Sequence, residues 1–336
     1  MRLKSKIATL LISILSITIL FTGCDTSTDD GLQEVRLNEV VRSVFYAPMY
    51  ISISEGFFED EGLKIDLSTG QGADKVMQNV LSNNAEIGFC GPEQTIYIHN
   101  QGRENYPVIF AQLTKKDGSF LVGREEKPNF TWESLENKKI IGGRPGGVPE
   151  MALEYVLKDH KLSPTSNVEM VTNIDFTATA GAFKSGTADY VALFEPTASM
   201  LEKEGNSHIV ASIGESTGNI AYTCFFSTKS YMNENPETIG SFTRAIYKGQ
   251  QWFKTHTSEE IATSIESFFP GTDKQIIIDV VENYKEIDAL ASDPIVKKDE
   301  LNKLMDVIES YDSTLIKTRP DFEAMVNNSF AEKAVQ

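Results

Sequence analysis

Apolar and polar positions between residues 34 and 67 follow two rhythms in succession. Val35, Leu37 and the pair Val40 and Val41 make a β-type apolar run, and residues 42–47 break it with two adjacent aromatics, Phe45 and Tyr46. Met49, Tyr50 and Ile53 then recur at helical spacing behind Pro48. Proline suits a first helical position because its missing N–H would have no partner there. Leu63, Ile65 and Leu67 alternate once more, as a second strand does. Strand, helix and strand in a segment of this size predict a βαβ unit with parallel strands and a right-handed crossover. The loop holding Phe45, Tyr46 and Ala47 then falls at the carboxyl edge of a sheet, where open α/β sheets bind ligands.

The same alternation continues. Strands are predicted at 85–89, 108–113, 120–123, 139–141, 168–171, 189–194, 208–213 and 222–227. Helices are predicted at 74–83, 93–98, 150–159, 176–183 and between 196 and 204, and the chain beyond Pro236 is mostly helical. This gives two α/β sections, about 37–114 and 120–222, with the helical tail expected to return over the first. The chain crosses between them near 113–122 and 222–227, which predicts a two-stranded hinge. The fold class is therefore α/β with two lobes around a central cleft: lobe I at 34–114 and 225–336, lobe II at 115–224. Small-ligand sites concentrate at such junctions.

Of the 336 residues, 40% are hydrophobic and 24% charged, an ordinary globular composition. Arg2, Lys4 and Lys6 precede an apolar stretch at 7–21, shorter than the roughly 20 residues of a membrane span. The stretch ends in Phe21-Thr22-Gly23-Cys24, which resembles a bacterial lipobox with Phe21 where Leu is usual. We expect 1–23 to be removed as a lipoprotein signal peptide and Cys24 to carry the lipid, including an acyl chain such as palmitate. Residues 24–33 would be a flexible tether. Removing the three leading cations takes the formal charge from -17 to -20. Such a surface repels nucleic acid and does not steer anions generally, so an anion would need local N–H groups or a single Arg. Cys90 and Cys224 both lie in apolar strand contexts and are expected as buried thiols rather than a bridge. The four His residues have no ligand spacing, so no metal or cofactor is expected.

Several residues could carry binding chemistry. The run Gly142-Gly143-Arg144-Pro145-Gly146-Gly147-Val148 precedes a helix that Pro149 begins. Glycine lets backbone approach a ligand, and a helix start offers N–H groups, so Gly146, Gly147 and Val148 with Arg144 could cradle an oxyanion; a tight turn with a surface Arg is the plainer reading. Phe45 and Tyr46 could stack on a planar ligand, with at least one of them expected to fill the core instead. Glu93 and Glu195 each follow a buried strand beside a proline. They could accept hydrogen bonds from ligand amino groups, or equally complement a helix dipole. Gln112 and Asp117, near the first crossing, are weaker candidates. No Gly-x-Ser-x-Gly elbow occurs, and no His stands near a nucleophile.

These residues carry a resemblance. Tyr46-Ala47-Pro48-Met49-Tyr50, Glu55-Gly56-Phe57-Phe58, Gly70-Gln71-Gly72, Gly88-Phe89-Cys90-Gly91-Pro92-Glu93, Gly142-Gly143-Arg144 and Phe194-Glu195-Pro196 resemble loops of ABC-transporter solute-binding proteins. The similar group is the one taking nitrate, sulfonates, taurine and thiamin-pyrimidine precursors. The resemblance implies a type II periplasmic-binding-protein-like fold closing on a solute. Its ligand loops would match 44–47, 91–93, 142–148 and 195–196, hence Phe45, Tyr46, Ala47, Gly91, Glu93, Arg144, Gly146, Gly147, Val148 and Glu195. It also implies ABC permease and ATPase partners, with this chain as an anchored monomer outside the cytoplasm. A planar amine or pyrimidine-like solute fits the aromatics and carboxylates, and a sulfonate or taurine-type anion is the alternative. An enzyme on the same scaffold is a further alternative: a pyrimidine-making member uses its own His and a Cys-rich motif, which this sequence lacks, and the lipid anchor argues against the cytoplasmic menaquinone-pathway enzymes. A surface adhesin ranks last.

Overall fold

The structure, a computed structural model, describes residues 31–336; the predicted leader, Cys24 and most of the tether lie outside the described residues. Gln33, placed by sequence in the tether, already begins a strand, β1 (Gln33–Glu39), that buries Val35 and Leu37. β1 runs parallel to β2 (Leu63–Thr69) in the register Gln33↔Leu63 to Glu39↔Thr69. Val40 and Val41 are not in the strand. The buried carboxylate of Glu39 accepts hydrogen bonds from the hydroxyls of Tyr50 (2.5 Å) and Thr69 (2.9 Å) and pairs with Arg42 (2.7 Å). That network draws residues 40–42 out of the sheet into a loop.

Between β1 and β2 lies helix α1 (Ala47–Ser54), which starts one residue before Pro48 behind a 3-10 turn that the Ser43 side chain caps. The chain continues through α2 (Ala73–Leu81), β3 (Ile87–Cys90), α3 (Glu93–Asn100) and β4 (Pro107–Thr114). It crosses at 115–118 into β5 (Ser119–Gly123), then β6 (Lys139–Ile141), α4 (Val148–Asp159), β7 (Glu169–Val171), β8 (Tyr190–Phe194), α5 (Thr197–Lys203) and β9 (His208–Ser212). A short helix, Ile213–Thr217, that no sequence signal marked leads the return crossing into β10 (Thr223–Thr228). Helices α6 (Pro236–Thr255), α7 (Ser258–Ile265), α8 (Lys274–Glu286) and α9 (Lys298–Tyr311) follow.

Two five-stranded sheets result, in the orders β2-β1-β3-β10-β4 and β7-β6-β8-β5-β9. In each sheet the strand that follows a crossing runs against its neighbours: β10 is antiparallel to β3 and β4, and β5 is antiparallel to β8 and β9. β10 is buried along its whole length, and Phe225 stacks on Phe89 of β3 (4.3 Å) while Phe242 of α6 meets it edge-on (5.1 Å). A fully buried Phe contributes on the order of 2–3 kcal/mol, so this cluster fixes β3 and the loop beyond it. Cys90 and Cys224 are direct cross-strand partners, both buried and unbridged. The tail does not simply return over the first sheet. α6 and α7 pack on α1, but α9 packs on α4 beside the second sheet, where Lys158 Nζ donates to Ser310 O (2.5 Å). Among the described residues no helix is long and apolar enough to cross a membrane.

Candidate functional site

The carboxyl ends of β1, β3, β6 and β8 converge on a cavity of about 190 Å³. A cavity of about 150 Å³ holds benzene, so this one suits a single ring with small substituents or a short-chain molecule. Its apolar walls are Val40 and Val41 from one side and Phe176, Phe194 and Val148 from the other. Its polar lining is Glu93 and Gln94 at the start of α3, Asp74 at the start of α2, Arg144, and Tyr46, Tyr222 and Thr223 near the crossings.

Glu93 is the sharpest feature. It is 1% exposed, its Oε1 receives a long bond from Gln94 Nε2 (3.4 Å), and its Oε2 has no hydrogen-bond partner. Burial, followed weakly by repulsion from Asp74, raises its carboxyl to about 7. The side chain folds under Gly91, where a Cβ would stand 2.1 Å from Oε2; only glycine leaves that room. The Tyr222 hydroxyl is likewise buried without a hydrogen-bond partner of good geometry, and it faces Asp117. Asp117 is itself fully buried behind Tyr222, with Oδ1 held by the Ser119 amide (2.7 Å) and its carboxyl pushed to about 6 by desolvation. Two residues that line the cavity, Glu93 and Tyr222, thus each bury a polar atom without a well-formed hydrogen bond, one an acceptor and the other a donor–acceptor. Unmet buried polar groups of this kind cost on the order of 1–3 kcal/mol each, which a ligand can recover.

The glycine turn is built differently from an open cradle. The Gly147 amide donates to Arg144 O (3.1 Å), and close by, desolvation raises the buried carboxyl of Glu150 to about 7. Arg144 is also occupied: Nη1 donates to Asp74 Oδ1 (3.1 Å) and Gln71 O (3.4 Å), and Nη2 to Asp74 Oδ2 (3.4 Å). Gly72, at φ +148°, makes space for this, since a Cβ there would stand 2.2 Å from Nη1. The pair ties the loop after β6 to the loop after β2. Ser43 Oγ–H donates to Glu195 O (2.6 Å) and the Tyr97 hydroxyl to Gly146 O (3.2 Å), so the two sheets' loops meet around the cavity.

Of the residues singled out by sequence, Tyr46, Gly91, Glu93, Arg144, Gly146, Gly147 and Val148 line the cavity. Four do not. Phe45 is fully buried against Tyr284 (ring centroids 4.7 Å) and Tyr222 (5.8 Å), with its ring over Gly118 in the first crossing. Ala47 opens α1 and is fully buried. Gln112 turns toward α9, where Nε2 donates to Glu300 Oε2 (2.8 Å). Glu195 spends both carboxylate oxygens on Ser199, accepting from its amide (2.9 Å) and its hydroxyl (2.8 Å) at the start of α5. It is the helix-capping reading, rather than the ligand reading, that describes this side chain. Asp74, Tyr222, Phe176 and Phe194 enter the cavity without having been singled out. Only Phe194 carried a signal, at the end of a buried strand; the others depend on which loops meet. Among the described residues no His lines the cavity, and no His, Cys, Asp and Glu cluster could hold a metal ion.

Comparison with known proteins agrees with this architecture. Residues 44–260 match the family described as NMT1/THI5 like. The chain is 42% identical over 318 residues, 95% of both chains, to YtlA of Bacillus subtilis (strain 168), named as a binding protein. It is 22% identical over 334 residues, 97% of this chain and 96% of the other, to a protein of the same organism named as an aliphatic sulfonates-binding protein. The crystal structure of the periplasmic aliphatic sulphonate binding protein SsuA from Escherichia coli superposes with a TM-score of 0.69 at 13% identity, covering 90% of this chain and 99% of that one. The chain belongs to the NMT1/THI5-like family and has the fold of the periplasmic binding proteins.

Proposed function

We propose that this protein is the extracytoplasmic solute-binding component of an ABC importer rather than an enzyme. Its relatives are named as binding proteins, and its cavity lies between loops of two sheets joined by two crossings. In this reading the lobes, 34–114 with 225–336 and 115–224, open and close about those crossings. A solute favours the closed arrangement only by the contacts it gains there. The Ser43–Glu195 and Arg144–Asp74 contacts are those of a closed cleft. Cys24 would hold the chain at the membrane surface through its lipid.

The ligand we propose is a small flat solute bearing N–H donors, such as an aminopyrimidine or an aromatic amine. The observation that carries this is the unpartnered Oε2 of buried Glu93 in a cavity that Tyr222 also lines. An amino group meets the carboxylate and a neighbouring ring nitrogen or carbonyl meets the phenol, while Phe176, Phe194 and Val41 take the ring faces. A sulfonate is the second reading, favoured by the name of the 22% relative and by an Arg in the lining. Calorimetric titration with 4-aminopyrimidine, aniline, taurine and methanesulfonate separates the two. Binding of the amines that Glu93→Gln weakens at least tenfold supports the proposal; binding of the sulfonates alone refutes it.

A further inference from the structure

We infer that Asp74 is a specificity residue that closes this cleft to anionic solutes by occupying the cationic Arg144 of its lining. This rests on the reading of the cavity as a solute site and sharpens it. Among the described residues Arg144 is the only Lys or Arg lining the cavity. Both of its terminal nitrogens are engaged by the two carboxylate oxygens of Asp74, and Nη1 also by Gln71 O. The seat is built: Gly72 takes a backbone angle and lacks a side chain just where the guanidinium lies. Of the amides that would otherwise receive an anion, that of Gly147 is spent on Arg144 O. An incoming sulfonate would therefore find an ion-paired guanidinium, a consumed Gly147 amide, and the carboxylates of Asp74 and Glu93. Asp74 side chain is 57% exposed at the first turn of α2, so it is not needed to fill the core. Its remaining effect is on charge and on Arg144.

The test is titration of methanesulfonate into the full chain, the Asp74→Asn and Asp74→Ser variants, and Asp74→Asn combined with Arg144→Ala, with circular dichroism melting to check folding. Removing a unit charge a few ångströms from an anion at a protein surface gives a gain of at least about tenfold. The expected result is that both single variants bind methanesulfonate at least tenfold more tightly than the unaltered chain, and that Arg144→Ala abolishes the gain. No gain in either folded variant, or a gain that survives Arg144→Ala, overturns the inference. If the unaltered chain binds 4-aminopyrimidine while the variants gain nothing, only this inference fails. If the variants gain while the unaltered chain ignores 4-aminopyrimidine, only the amine reading fails. Tight methanesulfonate binding by the unaltered chain overturns both.

Discussion

Replacing Glu93 by Gln keeps the side chain's shape and removes its charge, so it isolates what the buried carboxylate costs. In the folded chain Glu93 titrates at about 7 against an ordinary value of 4.5, because burial penalises the charged form. The folded state therefore binds more protons than the unfolded state between these values, and stability falls as pH rises through that window. The difference of about 2.5 units corresponds to about 3 kcal/mol, fully expressed above pH 7 and absent below pH 4.5. For a chain of this length that is a shift of about 5 °C in Tm. Thermal melting from pH 4.5 to 8.5 without ligand should show Glu93→Gln level with the parent at the acid end and several degrees more stable at pH 8. A gap independent of pH, or a variant less stable at pH 8, would refute the assignment of Glu93 as a buried, unpaired carboxylate. The same substitution weakens binding, so stability and affinity move in opposite directions, as they do where a site is held ready for a ligand.

Gly91→Ala places a Cβ 2.1 Å from Glu93 Oε2 and 3.0 Å from Val148 Cγ2; calorimetry should show amine binding at least tenfold weaker, with Glu93 displaced. Phe45→Ala empties the space over the first crossing between Tyr284 and Tyr222 and should cost about 3–5 kcal/mol in denaturant unfolding. Cys24→Ser should move the protein from the membrane fraction to the soluble fraction of bacterial cells and abolish palmitate labelling. An unchanged distribution would remove the anchor from the account.

The strands were legible because each βα step carries its own short-range signal. Leu37 alternates, Pro48 and Pro149 sit in first helical turns, and Gly91 and Gly146 mark loops at sheet edges. The site was legible only where one residue's chemistry follows from its place on one loop, as with Glu93 and Arg144. Glu195 has the same local setting as Glu93, a buried strand end beside a proline, yet it caps α5 because Ser199 stands four residues on. Gln112 faces away from the cavity because α9 brings Glu300 to it from 188 residues along the chain. Val40 and Val41 read as strand, but the tertiary partners of Glu39 peel them off to become a wall of the cavity. Tyr222 and Asp74 matter through what they meet across the junction, and no local pattern records that.

A co-crystal structure with the tightest-binding small amine tests the central claim most directly. The ligand's amino nitrogen should lie within hydrogen-bond distance of Glu93 Oε2, with a second polar atom at the Tyr222 hydroxyl and Arg144 still paired with Asp74. A ligand seated on Arg144 with Asp74 turned away, or bound outside the space between the two sheets, would contradict it.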